Sequence, residues 1–348
     1  MGNEKSQLKG AINYVTMNLV GSMFFLAGIG LLYSMTGTLN LAHLAEIFKS
    51  QEESLLLDAS SMLFFIAFGI KSAVFPLFFW LPASYHLPPV SITAFFAGLL
   101  TKVGVYSMIR FFSIFSVPDN SFLQNLLLTI GGLTMIIGVL TAASQYDMRR
   151  ILSFHIISQV GYMVMGLGLF TLTGIAGAIF FIAHNIFAKT AAFLSAGIVY
   201  KLTGSYDLKS IGGLYKKYPL FSLLFLFPAM SLAGIPPLSG FVGKLYLITA
   251  GLEAKQFFIT AVAVVVSLLT LFSMMKIWNE VFWKKSPVEA EKDGLKVKIP
   301  LAMIVPLGVL VLGTILLGVF GNYFLEISNK ASEHLLNPDV YINTVLNK

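Results

Sequence analysis

The sequence predicts an all-α, polytopic membrane protein of about nine transmembrane helices, one or two of them broken. Three observations predict it. Hydrophobic residues make up 57% of the 348 and charged residues only 11%, outside the balance of soluble domains. Apolar runs long enough to cross a bilayer recur from end to end, so no stretch remains for a soluble domain. Lys and Arg are spread over short loops rather than gathered on one polar face, so the net charge of +7 reads as membrane topology and not as nucleic-acid binding.

Breaks at polar and Pro/Gly clusters place spans near 10–35, 58–81, 91–116, 122–146, 150–171, 173–200, 218–251, 256–283 and 299–322, within a single transmembrane domain, 1–348. Nine crossings put the two ends on opposite sides. With the N-terminus inside, the inside segments hold Lys5, Lys9, Arg149, Arg150, Lys201, Lys209, Lys216, Lys217, Lys284, Lys285, Lys292, Lys296 and Lys298. The outside segments hold Lys49, Arg110, Lys255, Lys330 and Lys348. Thirteen against five, in strict alternation, fits the rule that cytoplasmic loops are enriched in basic residues. The expected arrangement is a cell-membrane protein with its N-terminus cytoplasmic and its C-terminus outside.

Four lysines, Lys71, Lys102, Lys189 and Lys244, lie near the middle of spans, and no Asp or Glu lies at comparable depth. A lysine at the bilayer centre costs about 2.5 to 3.5 kcal/mol on insertion scales, so a chain that keeps four is expected to use them. In the second span, Pro76 frees the carbonyl of Ser72, a candidate acceptor for Lys71. Irregular backbone is expected just after it, from Trp80 to Pro89. In the sixth span, His184 and Lys189 are five residues apart, at neighbouring depths on different sides of the helix, and relay and packing weigh evenly for the histidine. His155 of the fifth span lies within two turns of Arg149 and Arg150, where packing or an interface contact outweighs chemistry.

The seventh stretch, 218–251, is too long for a simple crossing, and Pro236-Pro237 sits in its middle. Two prolines remove two amide donors and strip the carbonyls of Leu232 and Ala233 of their usual partners, so the helix breaks. Such backbone is tolerated at depth only where it is buried in protein or lines a hydrated cavity. Lys244 follows about one turn after the restart, with Ser239 as a candidate cap, where the helix N-terminus and desolvation both work against a charged ammonium. Lys276, about two turns from Lys284, is expected to snorkel to the surface.

Cysteine is absent, which excludes disulfides and thiolate-held iron–sulfur clusters within this chain. No Walker loop, zinc-ligand spacing or serine–histidine constellation is present, and neither a cofactor nor a metal is expected.

Thr101-Lys102-Val103-Gly104-Val105-Tyr106, Ser158-Gln159-Val160-Gly161-Tyr162-Met163 and the run from Gly234 to Lys244 resemble the family uniting Mrp-type multisubunit sodium/proton antiporters with the antiporter-like proton-pumping subunits of respiratory complex I. Thr36 to Asn40, Leu152 to Met163 and Asp207 to Leu214 are most similar to the D-type subunits of the Mrp antiporters. The resemblance implies an antiporter-like fold with inverted repeats, 10–116 being the end of the first repeat, 122–283 the second and 299–322 a C-terminal helix. It implies that Lys71 pairs with a glutamate two helices upstream, that Lys102 is the relay lysine of the next helix, and that Lys244 lies on the route to the opposite side. His184 to Lys189 resembles the polar helix between them, although members often carry a histidine where this chain has Asn185. Family members begin with about five more helices, the last bearing the partner glutamate. The chain therefore resembles a member shortened at its N-terminus, whether as a fragment, an internal start or a split gene, and by itself it is expected to insert but not to transport.

The function expected is proton translocation along Lys71, Lys102, Lys189 or His184, and Lys244 in a multisubunit Na+/H+ antiporter, with other antiporter subunits, the lipid bilayer, protons and Na+ as partners. Membership of complex I or a membrane-bound hydrogenase, or a non-transporting remnant, are the alternatives. A Schiff-base photoreceptor needs one lysine with a carboxylate counterion, not four without.

Overall fold

The computed structural model describes residues 5–50, 55–115, 121–285 and 298–346. Lys292, expected inside, lies outside the described residues. Among those described, the chain is helix and connecting turn, with one isolated antiparallel bridge between Asp147 and Asp207. Eight helical stretches are long and apolar enough to cross a membrane. In a medium without water every backbone N–H and C=O must pair internally, which is why apolar segments of this length become helices.

The first helices are α1 (Lys5–Thr36), the short α2 (Leu41–Ser50) and α3 (Leu55–Ser72). α1 packs on α3 but leaves Leu8, Ile12, Val15, Leu19, Met23 and Leu26 exposed, an outward stripe at helical spacing suited to lipid or a neighbouring protein of the membrane. α4 (Trp80–Tyr85) is one short turn, and α5 (Val90–Phe95) runs through a π-helical turn, Phe96–Leu100, into α6 (Thr101–Phe115). α7 (Ser121–Ser144), α8 (Met148–Gly168) and α9 (Leu172–Thr203) follow as antiparallel neighbours.

α8 and α9 form the centre. The Asp147 carboxylate caps α8 by accepting from the Arg150 amide at 2.9 Å, and the Thr171 hydroxyl caps α9 by accepting from the Gly174 amide at 3.0 Å. Nearly all of α8 is buried, although its sequence has no apolar face to distinguish from a polar one. α7 and α8 approach so closely that a Cβ at Gly138 would stand 2.5 Å from the Ser158 amide nitrogen, and one at Gly161 2.6 Å from the Gly131 carbonyl oxygen.

The seventh expected span is two half-helices, α11 (Pro219–Ala233) and α12 (Ser239–Glu253), preceded by the four-residue α10 (Leu214–Lys217). With the eight continuous stretches, this broken pair makes nine candidate crossings among the described residues. α13 (Phe257–Trp278) ends in a second π-helical turn, Asn279–Trp283. α14 (Leu301–Val319) is continued past Phe320 by the amphipathic α15 (Gly321–Leu336), and α16 (Pro338–Leu346) closes the chain.

The basic residues sort to two ends. Arg149 donates to the Pro88 carbonyl, Lys284 to the Lys209 carbonyl, and Lys209 lies over the Tyr146 ring, all at the end where α8 begins. Lys49 pairs with Asp339, Arg110 lies over Tyr341, and Ser332 of α15 donates to the Leu172 carbonyl, at the end where α9 begins. Lys276 donates to the carbonyls of Ala143, in the last turn of α7, and Gln145, just after it, at 2.9 and 2.6 Å, so it does reach an end of the bundle.

The break after Lys71 is not where the sequence pattern puts it. α3 stops at Ser72, residues 73–79 are irregular, and Trp80–Tyr85, expected irregular, is helical. Ala73 adopts a left-handed φ of 58°, the Phe75 amide is taken by the Thr134 hydroxyl at 3.0 Å, and the Trp80 indole donates to the Ile70 carbonyl at 2.9 Å. These partners satisfy backbone groups at the end of α3 and in the irregular segment that follows it, whereas Pro82 falls in the first turn of α4, where a missing amide costs nothing.

Candidate functional site

Five side chains are expected at the site, and they sit on four elements of the core. Lys71, in the last turn of α3, is half-buried and donates to the Asn18 side-chain oxygen of α1 at 2.6 Å. The acceptor is therefore this amide and not the Ser72 carbonyl expected from sequence. Beside Lys71, α3 crosses α6 so tightly that a Cβ at Gly104 would meet the Ser72 backbone and hydroxyl. Lys102 lies two residues from that crossing.

Lys102 is 3% exposed and donates to the Ala97 carbonyl, inside the π-helical turn. A π turn loosens the regular ladder, and here a carbonyl within it receives a side-chain donor. The next residue, Gly98, lets this turn abut Thr190 of α9, whose neighbour is Lys189. Lys189 is fully buried, and its ammonium nitrogen has no hydrogen-bond partner among the described residues.

His184, one and a half turns earlier on α9, is also fully buried. Its Nδ1 lies 2.9 Å from the Ser239 hydroxyl and 3.4 Å from that of Ser231, and the two hydroxyls are 3.1 Å apart. Ser231 ends α11 and Ser239 begins α12, so one imidazole touches both sides of the break. Ser239 is thus not the cap of α12. Leu238 occupies that position without a side-chain bond, and the Ser231 hydroxyl instead receives the Gly240 amide at 3.2 Å.

Lys244 is 3% exposed and turns back across the break, donating to the carbonyls of Leu232 and Ala233 at 2.9 and 3.1 Å. These are the carbonyls that the two prolines leave without amide partners. The ammonium therefore faces the negative end of the α11 dipole rather than the positive start of α12, so the helix termini favour its charge instead of opposing it. Gly234 makes this approach possible. Its φ of 90° suits a residue without a Cβ, and a Cβ there would stand 3.0 Å from the lysine side chain. The Tyr162 ring of α8 lies 5.2 Å from the Lys244 ammonium on another side, its hydroxyl held by the Ala263 carbonyl and Ser267.

Lys189 and His184 each lie within electrostatic reach of Lys102 and Lys244. The line runs from Lys71 through Lys102, Lys189 and His184 to Lys244. Apart from the partnerless Lys189, its members have backbone carbonyls, hydroxyls or an amide as partners, and among the described residues no carboxylate pairs with any of the five. Among the described residues no cluster of His, Cys, Asp or Glu could hold a metal ion. The chemistry such a line supports is protonation and deprotonation with electrostatic coupling between neighbours.

Residues 1–270 match the NADH:quinone oxidoreductase/Mrp antiporter transmembrane family. The chain belongs to this family. It is 47% identical over 346 residues to the D component of a Na(+)/H(+) antiporter of Alkalihalophilus pseudofirmus, an overlap of 99% of this chain and 70% of the relative. It is 36% identical to the corresponding D component of the Na(+)/H(+) antiporter of Bacillus subtilis, with the same coverage. In structure it is similar to a chain of the Mrp complex from Dietzia sp. DQ12-45-1b, with a TM-score of 0.90, 35% identity, and 98% of this chain on 71% of that one. A chain of respiratory complex I from Thermus thermophilus shares the fold at a TM-score of 0.81 and 24% identity, over 95% of this chain and 70% of that one.

In this member of the Mrp antiporter and complex I family, sequence reasoning misses four partners. Asn18 is a side-chain amide midway along α1, a signal present in the sequence but not paired there with Lys71. Ser231 and Ser239 flank the prolines on either side, which hints at a shared partner. Tyr162 lies within a motif that sequence reading uses only for its resemblance.

Proposed function

We propose that this chain is the proton-translocating subunit of a multisubunit cation/proton antiporter of the cell membrane, exchanging Na+ for H+ together with other antiporter subunits. The observation that carries this reading is the buried Lys102–Lys189–His184–Lys244 line, which ends in an ammonium seated on the carbonyls of a broken helix. Lys71 would lead into it from the α1 side, and each lysine's charge would bias the proton affinity of the next. The role is transport rather than catalysis. Segments 10–116 and 122–283 would be inverted halves, each holding one interrupted helix, which the breaks at 73–79 and 234–238 support. Everted vesicles with the assembled complex should show Na+-dependent release of a preformed pH gradient, read by a dye. Deleting this chain's gene should remove that response, and exchange that persists without the chain would overturn the assignment.

A second reading is a proton-pumping subunit beside a redox module. It is favoured by the likeness to a chain of the membrane-bound sulfane sulfur reductase, an archaeal respiratory membrane complex, at a TM-score of 0.89 and 26% identity. Proton movement driven by electron donors rather than by Na+ in the same vesicles would select it.

The end of the bundle bearing Arg149, Lys209 and Lys284 would face the cytoplasm, by the excess of basic residues there. In a chain without cysteine, Lys209→Cys should resist an impermeant thiol reagent in intact cells, whereas Lys330→Cys should react. The reverse labelling would invert the topology.

A further inference from the structure

Among the described residues, the lysine line leaves a buried histidine unused. His155 of α8 is fully buried, and neither ring nitrogen has a hydrogen-bond partner among the described residues. Gln159, one turn on, is 1% exposed, and neither atom of its amide has one. Residues 155, 159 and 162 share a helix face, so these two side chains line up with Tyr162, whose ring lies under the Lys244 ammonium. From Tyr162 the stripe extends about 10 Å toward the start of α8, at 1.5 Å per residue.

The register of the antiparallel α8 and α9 fixes what it faces. The Tyr162 and Phe181 rings are 5.4 Å apart, and a Cβ at Gly166 would lie 2.9 Å from that of Ala178. The same offset sets His155 level with Ala188 and Lys189. Lys189 and Lys244 are the charges within electrostatic reach of His155. On the α9 side, the Lys189 ammonium, the His184 Nε2 and the Asn185 side-chain oxygen are likewise without partners among the described residues.

Orphaned polar groups are rare in native interiors, and when several face one another water is their usual partner. We infer that His155 and Gln159 form a further proton-relay station between Lys189 and the His184–Lys244 pair. His155 takes a proton from the Lys189 ammonium through water and passes it on, one N–H bond breaking as another forms, and Gln159 positions that water. Two lysines near this position, Lys189 and Lys244, disfavour a bound Na+, so the station serves the proton and not the cation.

The inference rests on the proton-transfer reading of the lysine line, and the experiment separates the two. In vesicles with the complete assembled complex, His155→Gln keeps a hydrogen-bonding side chain but cannot carry the proton. Its maximal exchange rate should fall about tenfold or more, at the modest end of general acid–base effects. Half-saturation by Na+ should stay unchanged, and the solvent deuterium isotope effect should grow. Gln159→Leu should show the same pattern. A wild-type rate in either variant overturns the station, as does an altered Na+ half-saturation with an unchanged isotope effect. Should neither variant assemble, exchange of the His155 ring C–H with D2O in the wild-type complex, read by mass spectrometry, decides the matter. Exchange shows that water reaches the ring, and no exchange overturns the proposal. A normal His155→Gln beside an inactive Lys244→Ala defeats this inference alone, whereas transport by Lys244→Ala defeats the reading beneath it.

Discussion

Lys244→Ala in the assembled complex should abolish Na+-dependent proton exchange, a loss of about 10²-fold or more, while the complex still assembles. The ammonium is 3% exposed and bridges the break by donating to the Leu232 and Ala233 carbonyls. Because alanine also leaves two buried acceptors unpaired, at about 1 to 3 kcal/mol, Lys244→Met serves as the companion. It keeps the volume of the stem and should be equally inactive. Lys276→Ala, which removes a cation bound to turn carbonyls at one end of the bundle, should retain exchange. Dye-monitored exchange in everted vesicles, normalised to the amount of assembled complex, checks all three. Near-normal exchange by Lys244→Ala would overturn the relay assignment.

Gly240→Ala should be nearly as damaging, for a steric reason. A Cβ at Gly240 would overlap the Ser231 carbonyl oxygen and press on the His184 ring. The obstacle is backbone on one side and a fully buried imidazole on the other, so neither can yield cheaply. The half-helices would part, and with them the Gly240 amide to Ser231 hydroxyl bond and the contacts of His184 to both serines. Overpacking of this kind costs about 1 to 3 kcal/mol. The expected result is a lower melting temperature of the purified complex together with loss of most exchange. Gly308→Ala, where an added Cβ meets nothing within 4 Å, is the control that should change neither. Unchanged stability and exchange in Gly240→Ala would mean that the seam between α11 and α12 is looser than its geometry.

Much of this is legible in the sequence because intramembrane chemistry is written in exceptions to apolarity. Pro236-Pro237 announces a broken helix wherever it falls, and the two carbonyls it frees can be named without knowing their partner. Lysines in apolar runs mark themselves. The break at 73–79 is harder to place because Pro82, Pro88 and Pro89 look more disruptive than Pro76. The folded chain tolerates Pro82 in a first turn and spends Thr134 and Trp80 on the Phe75 amide and the Ile70 carbonyl at the break. Ser239 reads as a cap because local spacing cannot show that a hydroxyl points sideways at a neighbouring helix. The helix terminus that Lys244 faces is misjudged for the same reason, since a long side chain can reach the terminus behind it. The π-helical turn that offers Ala97 to Lys102 has no local sequence signature, and Asn18 becomes a partner only once α1 is laid against α3.

The glycine crossings of α7 and α8 bear on how such a device could move. Backbone stands almost against backbone at Gly138 and Ser158, at Gly161 and Gly131, and again where Gly168 meets Leu127 and Leu128. Two helices that approach at three levels largely through backbone have little to compress there, so the pair behaves as a stiff post. On the opposite wall, α11 and α12 are joined by an irregular segment whose cross-links are hydroxyls, an imidazole and one ammonium, all of which reorient without breaking a core. On the proposed proton route, compliance would therefore be concentrated in one wall, and motion that admits or blocks a proton would be borne there, with α8 as the fixed reference against which it is measured.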